Sequence, residues 1–65
     1  MKFMGVSVPQ WASWAAQDPD GSWWVYECEP LQHDNGWYEN EIGRHLKLFL
    51  SSENPNWSAT LKKIR

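Results

Sequence analysis

Trp11-Ala12-Ser13-Trp14-Ala15-Ala16-Gln17-Asp18-Pro19-Asp20-Gly21-Ser22-Trp23-Trp24-Val25-Tyr26-Glu27-Cys28 reads as a β-hairpin. Asp18-Pro19-Asp20-Gly21 has the chemistry of a turn. Asp opens it, Pro presets φ at the second position, and Gly closes it without a Cβ penalty. Beyond the turn, Trp-Trp-Val-Tyr is rich in strand formers. With Asp18 and Gly21 as the ends of a four-residue turn, Ala16 lies opposite Trp23. Ala15 then faces Trp24, Trp14 faces Val25, and Ser13 faces Tyr26. A one-residue bulge at the turn would shift this pairing.

Opposed residues share a face. In this register one face carries Trp14, Trp23 and Val25, and the other Trp11, Trp24, Tyr26 and Cys28. Neighbours on a strand point to opposite faces, so Trp23 and Trp24 cannot enter one core together. A domain of this size buries only about 60% of its unfolded surface. The expectation is therefore that one face is roofed and the other meets water or a partner.

Working outward, the 65 residues make one small domain. The single Cys28 excludes an internal disulfide and fits a reducing compartment. No apolar run approaches a membrane span, and Met1–Val8 is too short and too weakly apolar for a signal peptide. A soluble cytoplasmic protein is expected. Six tryptophans are the outlying feature of the composition. A wholly buried indole removes about 150–250 Å² from water, about 4–6 kcal/mol at roughly 25 cal/mol per Å². A disulfide-free mini-domain needs such anchors, so most of the rings are expected in the core.

Net charge is −2, unevenly placed. Residues 1–43 set Lys2 against Asp18, Asp20, Glu27, Glu29, Asp34, Glu39 and Glu41. Residues 44–65 set Arg44, Lys47, Lys62, Lys63 and Arg65 against Glu53. Either the halves neutralise each other on folding, or they form two patches for a partner or a second copy.

Residues 1–10 read as an arm of low polarity that lies across the sheet. Residues 11–65 form the β domain, with the hairpin over 11–29 ended by Pro30. Leu31–Gly36 reads as a loop with Asn35-Gly36 as its tight turn. Trp37-Tyr38 starts a strand over about 36–40, and Gly43 breaks it. Leu46, Leu48 and Leu50 alternate, which favours a strand over about 44–50; a helix is the rival, because Ile42, Leu46, Phe49 and Leu50 fit a 3.6 period. Asn54-Pro55 resembles a helix start, and Trp57, Leu61 and Ile64 then form one stripe. The expected fold is mainly β with a minor α part. It is a three- to four-stranded antiparallel sheet, with one short C-terminal helix over about 55–64 docked on a face.

Catalytic and metal chemistry have little support. His33 and His45 are twelve residues apart, and no zinc-type spacing occurs. Cys28 stands between Glu27 and Glu29, which disfavour its thiolate. No phosphate-cradling glycine loop or Gly-x-Ser-x-Gly motif is present. Glu39 and Glu41 form a carboxylate pair, but so small a chain offers little concavity around them. No catalytic residue, metal or cofactor is assigned.

Pro9-x-Trp11-Ala12-x-Trp14-x-Ala16-x-Asp18-x-Asp20-Gly21, with Tyr26-Glu27-x-x-Pro30, Gly36-Trp37 and Pro55-x-Trp57-x-x-x-Leu61, resembles small proteins of tailed bacteriophages and prophages. Ala59-Thr60 departs from the serine usual before the leucine in that group. The resemblance spans about residues 9–65. It implies a phage accessory protein in a bacterial cytoplasm, of a kind that often binds a host protein. It supplies no site residues.

Trp and Tyr are enriched at interface hot spots. The first expectation is thus a non-enzymatic protein-binding module. Trp11, Trp24 and Tyr26 are its exposed anchors and Asp18, Asp20 and Glu27 its acidic rim, with Trp14 and Trp23 as anchors if the register slips. The partner is a host enzyme, a defence protein or a second copy. The alternative is a nucleic-acid-binding module using Arg44, Lys47, Lys62, Lys63 and Arg65, with Trp57 stacking on bases. A third reading is a minimal assembly piece of the virion.

Overall fold

The computed structural model describes residues 1–39 and 42–65. The last position of the strand expected over 36–40, and the Glu41 half of the carboxylate pair, lie outside the described residues. The architecture is mainly β and antiparallel. Strands β1 (Lys2–Phe3) and β2 (Val6–Ser7) form a small hairpin. β3 (Trp14–Gln17) and β4 (Ser22–Tyr26) form the central one. β5 (Leu31–His33) and β6 (Gly36–Tyr38) form a third. β7 (His45–Leu50) and β8 (Lys62–Lys63) flank the central hairpin, giving a four-stranded sheet in the order β7-β4-β3-β8.

The central hairpin forms with its register moved by one residue. Trp14 pairs with Tyr26, Ala15 with Val25, Ala16 with Trp24 and Gln17 with Trp23. The cause is the turn. Asp18 N–H donates to the Ser22 carbonyl and Gly21 N–H to the Asp18 carbonyl, both at 2.9 Å, leaving three residues in the loop. Gly21 sits at φ +97°, the left-handed position that closes a three-residue hairpin loop with a bulge. The shift redistributes the rings. Trp14, Trp24 and Tyr26 now share one face, and Trp23 and Val25 the other.

The Trp23 face is the core. Phe3, Val8, Ala12, Ala15, Trp23 and Val25 cluster there, with Trp11, Leu48, Phe49 and Ile64 against them. The N-terminal arm supplies the cover, and the Phe3 and Trp23 rings meet edge to face at 5.1 Å. Strand β7 carries an irregularity: Trp23 pairs with Phe49 but Trp24 with Lys47, so Leu48 is the extra residue. The bulge lets both Leu48 and Phe49 reach the core. Leu46 and Leu50, expected beside Leu48 on one apolar face, are exposed.

The Trp24 face is partly roofed as well, against expectation, with Trp14 and Trp24 half-buried. Trp37 N–H on β6 donates to Asp18 Oδ1 at 2.9 Å. Tyr26 is only 3% exposed. A chain this short covers both sides because each cover is a single two-stranded hairpin. The turn of the β5–β6 hairpin is Asp34-Asn35 rather than Asn35-Gly36, because His33 pairs with Gly36. Gly36, at φ +147°, leaves room for the Asp18 carboxylate, which a Cβ would approach to 2.9 Å.

The C-terminal helix is replaced by one 3₁₀ turn, Trp57–Ala59, followed by β8. An isolated helix of ten residues is marginal in water. The open edge of β3 offers stronger partners. Gln17 N–H donates to Thr60 Oγ1 at 2.9 Å, and Ile64 N–H to the Ser13 carbonyl at 2.9 Å. Trp14 pairs with Lys63 and Ala15 with Lys62.

Buried Gln17 fastens this segment to the turn. Its amide nitrogen donates to the Gly21 carbonyl at 3.1 Å and the Ser52 carbonyl at 3.3 Å. Its amide oxygen accepts from Asn54 Nδ2 at 3.0 Å.

Candidate functional site

The Asp18 turn, the start of β7 and the β5–β6 hairpin meet around a small cavity on the Trp24 face. Asp18, Trp24, Tyr26, Trp37, Glu39 and His45 line a volume of about 100 Å³. His45 is placed by its pairing with Tyr26, and its ring lies 5.8 Å from that of Trp24 and 6.3 Å from that of Tyr26. Trp37 is held from two sides. Its backbone N–H goes to Asp18, and its indole N–H donates to the Trp57 carbonyl at 3.3 Å. The Trp37 and Trp57 rings meet edge-on at 6.3 Å. Beside the cavity, a broad open cleft of about 490 Å³ runs along Asp18, His33, Asn35, Gly36, Trp37 and Tyr38.

The electrostatics of the cavity are acidic. Burial pushes the Asp18 carboxyl up, against the lowering effect of the Trp37 N–H, with repulsion from Asp20 adding to the rise. The Tyr26 phenol is driven well above its ordinary range, first by burial and then by the Asp18 and Glu39 charges. The Asp20 carboxyl is held low chiefly by the Ser22 N–H, which donates to it at 2.8 Å. Among the described residues there is no group of three or more metal-ligating side chains. No helix of the described chain is long and apolar enough to cross a membrane.

The expected anchors are distributed differently. Trp24 and Asp18 do line one site. Tyr26 lines it too but is buried, so it is not an exposed anchor. Trp11 belongs to the margin of the core, with the Arg44 guanidinium 5.2 Å above its ring. Trp23, the anchor expected for a slipped register, is 7% exposed inside the core. Trp14 shares the Trp24 face, with the Lys63 ammonium 5.8 Å from its ring. Asp20 is exposed near the same turn. Glu27 is bound in a bidentate pair, taking Arg44 Nε at 3.2 Å and Nη2 at 3.0 Å.

The basic residues of the nucleic-acid alternative are largely engaged within the chain. Arg44 holds Glu27 and covers Trp11. Lys62 lies 5.7 Å from the Phe3 ring and 6.0 Å from that of Trp23. Arg65 donates to the Ala12 and Pro9 carbonyls at 2.6 and 2.9 Å. Lys47 is close enough to Asp20 to help lower its carboxyl pKa. Trp57 faces Trp37.

Trp37, Glu39 and His45 are the site residues the sequence did not single out as a group. Each lies on a different segment from the turn, and only Gly36 next to Trp37 hints at a close backbone approach. No family model, curated protein or solved structure matches the chain.

Proposed function

We propose that this chain is a non-enzymatic protein-binding module, and that its binding surface is the Trp24–Trp37 face with the adjoining cleft. The observation that carries this is the meeting of Trp24, Trp37 and the Asp18 carboxylate at one opening. Partly exposed aromatic rings supply contact area at low entropy cost, and Asp18, Asp20 and Glu39 make the rim acidic. Such a rim favours a basic partner. The resemblance to small phage proteins suggests a host enzyme or defence protein in a bacterial cytoplasm, with a second copy of the chain as the competing occupant.

The test is affinity capture on immobilised protein from bacterial lysate at low and high salt, with light scattering on the free chain. Stoichiometric retention of one protein, lost in the Trp24→Ala/Glu39→Gln double variant, supports the proposal. Retention of oligonucleotide with no protein, or retention indifferent to both substitutions, rejects it.

A further inference from the structure

We infer that the cavity between Trp24 and Trp37 receives the guanidinium group of an arginine side chain presented by the protein partner. This rests on the binding surface proposed above and names the chemistry of its central contact. The cavity has aromatic walls and an acidic lip. Trp24, Tyr26 and Trp37 line it, and cations within about 6 Å of an aromatic face are attracted. Asp18 and Glu39 place two carboxylates at the same space. Asp18 gives Oδ1 to the Trp37 N–H, and among the described residues no side chain or backbone group donates to Oδ2.

Tyr26 is compatible with the same conclusion. The residue is only 3% exposed, and it lines the cavity beside Asp18 and Glu39. A phenol oxygen can accept from an incoming N–H. The volume of about 100 Å³ equals roughly three waters, which suits a small planar head group and not a whole side chain. Guanidinium fits better than ammonium on two grounds: it stacks on indole, and its fork of donors matches separated carboxylate oxygens. Lys47 pairs across from Trp24 on this face, and its charge acts on Asp20. His45 completes the wall by lying against Trp24 and Tyr26.

The experiment follows the indole N–H resonances of Trp24 and Trp37 in the full chain by two-dimensional NMR. The probes are N-acetyl-arginine amide, N-acetyl-lysine amide and the neutral isostere N-acetyl-citrulline amide. The arginine amide is expected to shift both resonances saturably in the millimolar range, with the lysine amide weaker and the citrulline amide inert. Glu39→Gln, a change at an exposed position, should weaken arginine binding about three- to tenfold, and more so at low salt. Glu27→Gln, which neutralises an acid already paired with Arg44, should leave it unchanged. Equal binding of citrulline, or lysine binding as tight as arginine, overturns the inference. So does an arginine amide that moves neither indole. If protein capture survives that last result, the arginine pocket fails while the binding surface stands.

Discussion

Replacing Gly21 by alanine, with Gly5→Ala as its control, separates two costs that are usually measured together. Both glycines hold a positive φ, +97° at Gly21 and +82° at Gly5. Alanine pays about 1–2 kcal/mol for that conformation at either site. Both substitutions also reduce the freedom of the unfolded chain by a similar amount, about 0.4–1 kcal/mol in the stabilising direction. What differs is the space around the new methyl. At Gly5 nothing lies within 4 Å. At Gly21 a Cβ collides with the Ser51 carbonyl oxygen and comes within 2.7 Å of that of Ser52. These are backbone atoms of the 51–60 segment, so relief requires moving a chain and not a rotamer. Forced overpacking costs about 1–3 kcal/mol. Loss of the 2.9 Å bond from Ser51 N–H to the Gly21 carbonyl adds about 0.5–1.5 kcal/mol. Gly21→Ala should therefore be about 2–4 kcal/mol worse than Gly5→Ala, a large share of the roughly 3–10 kcal/mol available to a chain this size. Urea unfolding followed by tryptophan fluorescence reads the difference. With a slope of about 1 kcal/mol per molar, the midpoints should differ by about 2–4 M. Midpoints within about 0.5 M of each other would refute the close approach of the 51–60 segment to the turn.

Two further outcomes follow from the same geometry. Arg44 holds the Glu27 carboxyl at about 2, first through its side-chain donors and then through its backbone N–H, against an ordinary value of 4.5. A depressed carboxylate stabilises the fold fully above the unfolded value, and that contribution is lost as pH falls from 4.5 towards 2. Asp18, raised by burial, acts in the opposite sense and gains as pH falls through its folded value. The stability gap between the wild type and Glu27→Gln should thus narrow as pH falls below 4.5; a gap independent of pH in denaturant titrations would contradict the pairing. Gln17→Leu should destabilise by about 2 kcal/mol, because the Ser52 carbonyl and Asn54 amide lose their buried partner. Amide exchange at Thr60 and Ile64 should accelerate with it, and unchanged exchange there would show that Gln17 does not fasten the C-terminal segment.

Local chemistry made the central hairpin legible. Asp18-Pro19-Asp20-Gly21 announces a turn, and Trp-Trp-Val-Tyr announces a strand, without help from the rest of the chain. The one-residue slip was not legible, because a four-residue turn and a three-residue loop closed by a bulge use the same letters. In a period-two structure that slip is enough to move Trp14 to the Trp24 face, while Tyr26 is taken out of solvent by the cover over that face. The strand over 45–50 could be read from its alternation, but its bulge at Leu48 could not.

By itself, the order of residues determined that the chain is a mainly antiparallel β protein, that its turn lies at residues 18–21, and that Trp23 and Trp24 look in opposite directions. Those are consequences of backbone sterics and side-chain alternation over a few neighbours. Tertiary structure alone decided that the last residues pair with β3 and do not coil, that two small hairpins cover both faces, and that Asp18 shares a cavity with Trp37, Glu39 and His45. Such contacts join segments many residues apart. Their outcome depends on which backbone edge and which apolar face are left open once the central hairpin has formed.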